Sequence, residues 1–267
     1  MYVALAVAAT LLALGKRPAW AAVLLALSLM TKPQALPFVV PIAAWIWATG
    51  GPSTVARAAA AGAATTVVLW LPFIGSGGPA GYISNLSTYQ AEVFNILSVR
   101  AWNVWWLVQE AAAGGAFIAD GTPILGPVTW RHIGYGLVGL LELVIAIVIA
   151  RNPTPRTLVL GLAASVLVVF GFATQMHERY AFGALAFLTL LIETPRIRWL
   201  GAAFGAVFTA NLLAAVPPTP WIAQVLPVEG PLGIAGSIAM LAITFGAIQA
   251  LGAAPPDRAA APSRPGP

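Results

Sequence analysis

Ala19-Trp20-Ala21-Ala22-Val23-Leu24-Leu25-Ala26-Leu27-Ser28-Leu29-Met30 is an uncharged run of 12 residues. It lies between Lys16-Arg17 and Thr31-Lys32-Pro33-Gln34. The run has no strict apolar/polar alternation, so it reads as a helix of roughly 18 Å at 1.5 Å per residue. A hydrocarbon core is about 30 Å thick. With Arg17 marking one face of a membrane, Thr31–Gln34 falls short of the other face and sits within the membrane's depth. Irregular backbone at that depth persists only where it lines a protein-enclosed or watery cavity. Pro33, Pro37 and Pro41 recur every four residues, which predicts a kinked helix carrying all three on one face. The alternative for Lys32 is that its long side chain snorkels to the interface.

The rest of the chain repeats this texture. It is 60% hydrophobic and only 8% charged, and apolar segments occur at Tyr2–Leu14, Ala19–Met30, Gln34–Thr49, Val55–Ile74, Ile133–Ala150, Thr157–Ala173, Ala181–Ile192, Trp199–Val216 and Pro231–Gly252. Long runs without period-2 alternation exclude a transmembrane barrel. The expectation is an all-α polytopic transmembrane bundle of about nine spans over residues 1–252. Residues 75–132 form an external loop, and residues 253–267 a disordered cytoplasmic tail rich in Pro and Ala. Threaded alternately, the segments place Lys16, Arg17, Arg57, Arg151, Arg156, Arg196, Arg198, Arg258 and Arg264 on one face. By the positive-inside rule that face is cytoplasmic. Lys32, Arg100, Arg131 and Arg179 fall on the other face, against the topological bias, and point to an anionic ligand there.

Composition narrows the function classes. The net charge of +5 and the pI of about 10.1 read as topology and contact with anionic membrane lipids, not as a nucleic-acid surface. Cysteine is absent, which excludes disulfides, thiolate metal sites and Cys nucleophiles. His and carboxylate spacing offers no metal site. Ten Trp suit the aromatic belts of two interfaces. Met1 leads directly into an apolar segment without preceding basic residues, unlike a signal peptide. Alternation also puts Met1 outside, so the expectation is that earlier spans of a larger protein are missing.

A second polar knot has the geometry of the first. Ala181–Ile192 is again 12 residues, followed by Arg196 and Arg198, so Thr174-Gln175-Met176-His177-Glu178-Arg179-Tyr180 is recessed on the outer side. Successive His, Glu and Arg are costly there unless they pair and face a cavity. Two knots opening the same way predict one outward-facing crevice. In it Lys32 and Arg179 would hold phosphate oxygens, while His177 orients a group or shuttles a proton. The competing structural reading has Glu178 and Arg179 neutralise each other as helix-packing glue. Arg100 and Arg131 are further crevice candidates, and Arg131-His132 reads equally as an interfacial anchor. Glu142, mid-span, reads as paired or protonated within the bundle, and Asp120 as solvated in a Gly/Pro-containing loop. Asn85-Leu86-Ser87 matches a glycosylation sequon, a short and unspecific motif. Trp102-Asn103-Val104-Trp105-Trp106-Leu107 predicts a short amphipathic helix along the outer interface, serving as a membrane anchor or as a substrate contact. No internal repeat is visible, which weakens transporter folds built on duplicated halves.

Three of these stretches together carry a resemblance. Leu29-Met30-Thr31-Lys32-Pro33-Gln34-Ala35-Leu36, Ala101-Trp102-Asn103-Val104-Trp105-Trp106 and Gln175-Met176-His177-Glu178-Arg179-Tyr180 resemble signature stretches of bacterial integral-membrane mannosyltransferases related to the enzyme that adds the second GPI mannose, of the GT-C class. His177-Glu178-Arg179 is also similar to the His-Glu-Lys motif of dolichyl-phosphate-glucose glucosyltransferases. The resemblance runs in order over roughly residues 19–193. It implies a multi-pass enzyme of the bacterial plasma membrane, working on the outer face. Such an enzyme transfers a sugar with inversion from a polyprenyl-phosphate donor to a glycan, lipid or protein acceptor, with the lipid-linked donor as substrate and no further cofactor. Lys32 and Arg179 would then bind the donor phosphate, with Gln34, Trp102, Asn103 and His177 orienting donor or acceptor. The family's acidic catalytic residue lies in a first external loop upstream of where this chain begins. No catalytic base is therefore carried over, and His177 and Glu178 are the candidates present. A transporter or lipid-flipping protein for an anionic or phospholipid-linked substrate is the alternative class.

Overall fold

The computed structural model describes residues 1–192 and 194–253. The expected tail, with Arg258 and Arg264, lies outside the described residues beyond Ala253, as does Glu193. Each of the nine apolar segments is helical over most of its length. Among the described residues, five helical stretches are long and apolar enough to cross a membrane: Pro33–Ile74, Trp130–Arg151, Pro155–Phe172, Pro195–Ala215 and Gly230–Gly252. Two shorter apolar helices, α1 (Tyr2–Leu14) and α2 (Pro18–Thr31), precede them.

Small residues let α1 and α2 approach closely: Ala6, Ala9 and Ala13 on one side and Ala21 on the other are buried. The Ser28 hydroxyl ties the pair by donating to the Tyr2 carbonyl at 2.8 Å. At 14 residues, α2 is only about 21 Å long. The kinked α-helix expected from the prolines does not form at its end. Pro33–Phe38 is instead a 3₁₀ helix, in which residues four apart do not share a face; Pro37 is buried and Pro33 is exposed. The α-helix α3 (Val39–Ile74) then bends at Gly51, whose φ of 72° suits glycine. Two apolar segments thus become two arms of one bent helix.

The helix α7 (Pro155–Phe172) is the centre of the bundle. It is apolar on every side and buried on every side, as such a helix must be. It packs against α3, α6 (Trp130–Arg151), α8 (Phe182–Thr189) and α11 (Gly230–Gly252). Gly161 of α7 admits the Ile149 side chain of α6, leaving no room for a Cβ. By contrast α6 turns Leu140, Leu143 and Ile147 outward, and α3 exposes Val67, Val68 and Leu71, apolar surface of the kind a membrane covers.

Between α3 and α6 lie α4 (Gly78–Thr88), a π turn (Tyr89–Val93), the two-residue strand β1 (Ser98–Val99), α5 (Val104–Ala113) and a small hairpin of β2 (Pro123–Leu125) and β3 (Val128–Thr129). The helix expected at Trp102–Leu107 exists as α5, with its tryptophans turned into the protein. Trp102, Trp105 and Trp106 are buried, and α5 packs on α11 and α7. Gly233 and Gly236 of α11 make this possible. A Cβ at Gly236 would collide with the Trp102 ring, and one at Gly233 with the Trp106 nitrogen. The remaining elements are α9 (Pro195–Ala215) and α10 (Pro220–Val225).

Candidate functional site

The 75–132 segment is clipped onto the second polar knot by backbone pairing. β1 runs parallel to β4 (Met176–His177), with Ser98 opposite Met176 and Val99 opposite His177, and Arg100 adds an isolated bridge to His177. The Gln175 amide donates to the Leu97 carbonyl at 3.0 Å. Arg100 and Gln175 flank this pairing with φ values of 59° and 64°, a left-handed region that non-glycine residues enter at a cost of about 1–3 kcal/mol. Their surroundings hold them there. The Arg100 carbonyl accepts from Asn211 Nδ2 at 2.9 Å, and its guanidinium donates to the Ala215 carbonyl at 3.2 Å. Gln175 Nε2 donates to the Gln90 carbonyl at 3.2 Å and to Asp120 Oδ2 at 3.1 Å.

Asp120 is the anchor of that corner, and it is not the solvated loop residue expected. It is wholly buried. Its carboxylate accepts from Arg131 Nε at 3.0 Å, from an Arg131 terminal nitrogen at 2.7 Å, and from the Thr174 hydroxyl at 2.6 Å. Arg131 also donates to the Gln90 carbonyl at 2.9 Å. Arg131 is therefore a paired cation that fastens α6 to the segment preceding it, and it does not line the cavity described below. Arg100, bound to the Ala215 carbonyl, does not line it either. Trp102 and Asn103 also lie away from that cavity. The Trp102 indole donates to the Val228 carbonyl at 3.2 Å. Asn103 caps α5 by accepting from Trp105 and Trp106 amides, each at 3.1 Å, and donates to the Phe170 carbonyl at 3.1 Å. Both residues are buried with their polar groups engaged within the protein.

Beside the knot lies a cavity of about 790 Å³. Pro37, Leu86, Tyr135, Val166, Phe170 and Met176 give it apolar walls, and Gln34, Gln90, Gln175, His177 and Tyr180 supply polar groups. The Gln34 Oε1 atom is buried and lacks a hydrogen-bond partner among the described residues. Most of one wall comes from α4 and the turn after it, through Tyr82, Asn85, Leu86 and Tyr89. The sequon at Asn85–Ser87 does not point to a cavity wall, because a wall needs only apolar bulk and acquires its meaning from what packs opposite.

The two knots do meet, at Tyr180. The Lys32 ammonium stands 6.0 Å from the centre of the Tyr180 ring and 5.7 Å from that of Tyr2. The Arg179 guanidinium carbon is 5.6 Å from the same Tyr180 ring. Lys32 and Arg179 flank the tyrosine and do not line the cavity wall itself; Tyr180 and His177 do. Arg179 donates to Glu178 Oε1 at 3.0 Å, and Glu178 Oε2 is 3.8 Å from His177 Nδ1. The expected Glu178–Arg179 neutralisation is thus present, with Glu178 buried and the Arg179 side chain half exposed. Lys32 has no ion-pair partner among the described residues. Burial lowers the His177 pKa below its usual value, and the nearby Arg179 and Lys32 charges lower it further against the opposing pull of Glu178. His177 is accordingly a neutral imidazole near pH 7.

Deeper in the bundle, the Ser165 hydroxyl bridges Glu142 Oε1 and the Pro37 carbonyl, which pairs Glu142 within the bundle as its mid-span position suggests. All four cations left on the unexpected face gather at one end of the fold, around residues 174–180: Arg131 through Asp120, Arg100 through His177, and Lys32 and Arg179 through Tyr180. Among the described residues no cluster of three or more His, Cys, Asp or Glu could hold a metal ion. No family model, curated protein or solved structure matches the chain.

Proposed function

We propose that the chain is a GT-C-type membrane glycosyltransferase of about nine spans. It transfers a sugar, a mannosyl group by the resemblance, from a polyprenyl-phosphate donor to an acceptor at the outer face of a bacterial plasma membrane. The observation that carries this reading is the pairing of a large apolar-walled cavity with two cations, Lys32 and Arg179, grouped about one tyrosine at its edge. An isoprenoid phosphate has that composition, a long apolar body ending in a compact anion. In an inverting transfer the acceptor oxygen forms a bond to the anomeric carbon as the bond from that carbon to the phosphate oxygen breaks. Negative charge develops on the departing polyprenyl phosphate, and positioned cations stabilise it most when water is excluded. Gln34, with its unpartnered Oε1, suits a sugar hydroxyl donor. The acceptor proton goes to a base; His177, neutral at pH 7, has the capacity to take it, whereas Glu178 is committed to Arg179.

The test is transfer by the full-length protein in liposomes, supplied with polyprenyl-phosphate-[³H]mannose and a membrane extract as acceptor. Gly139 lines the cavity with open space where a Cβ would stand, so Gly139→Phe fills it without displacing the backbone. Transfer by the wild type and its loss in Gly139→Phe support the reading. Movement of the donor lipid between leaflets without sugar transfer would overturn it in favour of a lipid-flipping protein.

A further inference from the structure

A second cavity, of about 530 Å³, lies where the α1–α2 turn meets the bend of α3. Lys16, Arg17 and Arg57 line it together with Trp20, Thr49 and Thr54, and no carboxylate does. None of the three cations has an ion-pair partner among the described residues. Arg57 donates to the Thr54 hydroxyl, within the cavity wall itself, at 3.3 Å. Three like charges facing one space repel each other, and an anion between them removes that repulsion.

The backbone is shaped to the same space. Lys16 is held at a φ of 57°, fixed by bonds from its own amide to the Ala13 carbonyl and from the Arg17 amide to the Leu12 carbonyl. This strained conformation turns the chain within three residues. Opposite it, the α3 bend at Gly51 carries Thr54 and Arg57 back toward the turn. The N-terminus of α2, where the Arg17 side chain makes no capping hydrogen bond, opens on the same cavity and adds its partial positive charge. The positive-inside rule explains why cations stand on this face. It does not explain why three from two separate elements line one carboxylate-free hollow.

We propose that this cavity binds a phosphate-bearing ligand, held by Lys16, Arg17 and Arg57 at the face opposite the Lys32–Arg179 end. Guanidinium groups grip phosphate oxygens in pairs, and the ammonium adds a point charge. The exposed Trp20 at the rim suits the headgroup level of a bilayer. The phosphate arrives either on a lipid headgroup or free in solution, and the chemistry of the cavity is common to both.

The experiment is calorimetric titration of the full chain in detergent at low salt with inorganic phosphate, dihexanoyl-phosphatidic acid and, as a control lacking phosphate, dihexanoylglycerol. Binding of inorganic phosphate and the phosphatidic acid alike indicates a free phosphate ligand; binding of the phosphatidic acid alone indicates a headgroup. In either case Arg57→Gln should weaken binding about tenfold or more, and Thr49→Glu, which adds a carboxylate to the cavity, should weaken it at least as far. Arg151→Gln, a cation outside the cavity, should leave it unchanged. If Arg57→Gln does not fold, Thr49→Glu carries the comparison. The proposal is overturned if neither phosphate probe binds, if the diacylglycerol binds as well as the phosphatidic acid, or if Arg151→Gln weakens binding as much as the cavity variants do.

Discussion

Asp120 and Arg131 meet through two hydrogen bonds, of 3.0 and 2.7 Å, with the carboxylate wholly buried. The pair joins the segment before α6 to the start of that helix, and through Thr174 and Gln175 to the second knot. Breaking a buried pair by removing one partner leaves an uncompensated charge and costs about 3–5 kcal/mol. Arg131→Ala should therefore destabilise the purified protein by that order, as followed by denaturant unfolding in detergent. Arg131→Lys, which keeps the charge but loses the forked geometry, should fall between. Unchanged stability in Arg131→Ala would show that the pair is dispensable.

The fit of α5 on α11 depends on glycine. Any side chain at Gly236 must displace the Trp102 ring, and overpacking of this kind costs about 1–3 kcal/mol. Gly236→Val should lower the thermal midpoint, and combining it with Trp102→Ala should recover part of the loss. A Gly236→Val protein as stable as the wild type would contradict the packing described.

His177 gives stability a pH dependence of definite sign. Its pKa in the folded protein is below the usual 6.5, so between the folded and ordinary values the unfolded chain binds more protons. Stability contributed by neutral His177 is then present above about 6.5 and is lost as pH falls through the folded value. Unfolding of wild type and His177→Asn should diverge in this window, with the wild type losing more on acidification. Parallel curves would mean that His177 titrates alike in both states.

Reporter fusions test the sidedness on which the outer-face reading rests. Fusions at Thr54 and Pro155 are expected to report the cytoplasm, and a fusion at Gly77 the outside. An external report from Pro155 would invert the topology and move the Lys32–Arg179 end to the wrong face.

Much of this arrangement is legible in the sequence, because span length and charge are one-dimensional quantities. The 12-residue segments before Thr31 and after Tyr180 and the four misplaced cations point to two knots at one end, and Lys32 and Arg179 do share Tyr180. Other features depend on what lies opposite, which spacing does not encode. Trp102 and Asn103 carry the same polar and aromatic signal as a binding motif. Only Gly236, Val228 and Phe170, each far away in sequence, turn them inward. Asp120 is hidden for the same reason: a carboxylate in a Gly/Pro-containing loop reads as solvated until Arg131, Thr174 and Gln175 close over it. The prolines mislead locally, since four-residue spacing suits an α-helix and the chain there is 3₁₀.

The most direct test of the Lys32–Arg179 end is sugar transfer from polyprenyl-phosphate-[³H]mannose by the full-length protein and its Lys32→Ala and Arg179→Ala variants. Expression and thermal midpoint serve as controls for folding. Each variant is expected to lose transfer by about 10²–10³, as on removing one donor from an oxyanion site. The midpoint should be little changed in Lys32→Ala, because Lys32 has no ion pair to break, and lowered in Arg179→Ala, because the buried Glu178 carboxylate loses its partner. Near-normal transfer by both variants would contradict the assignment and leave these two cations as structural partners of Tyr180.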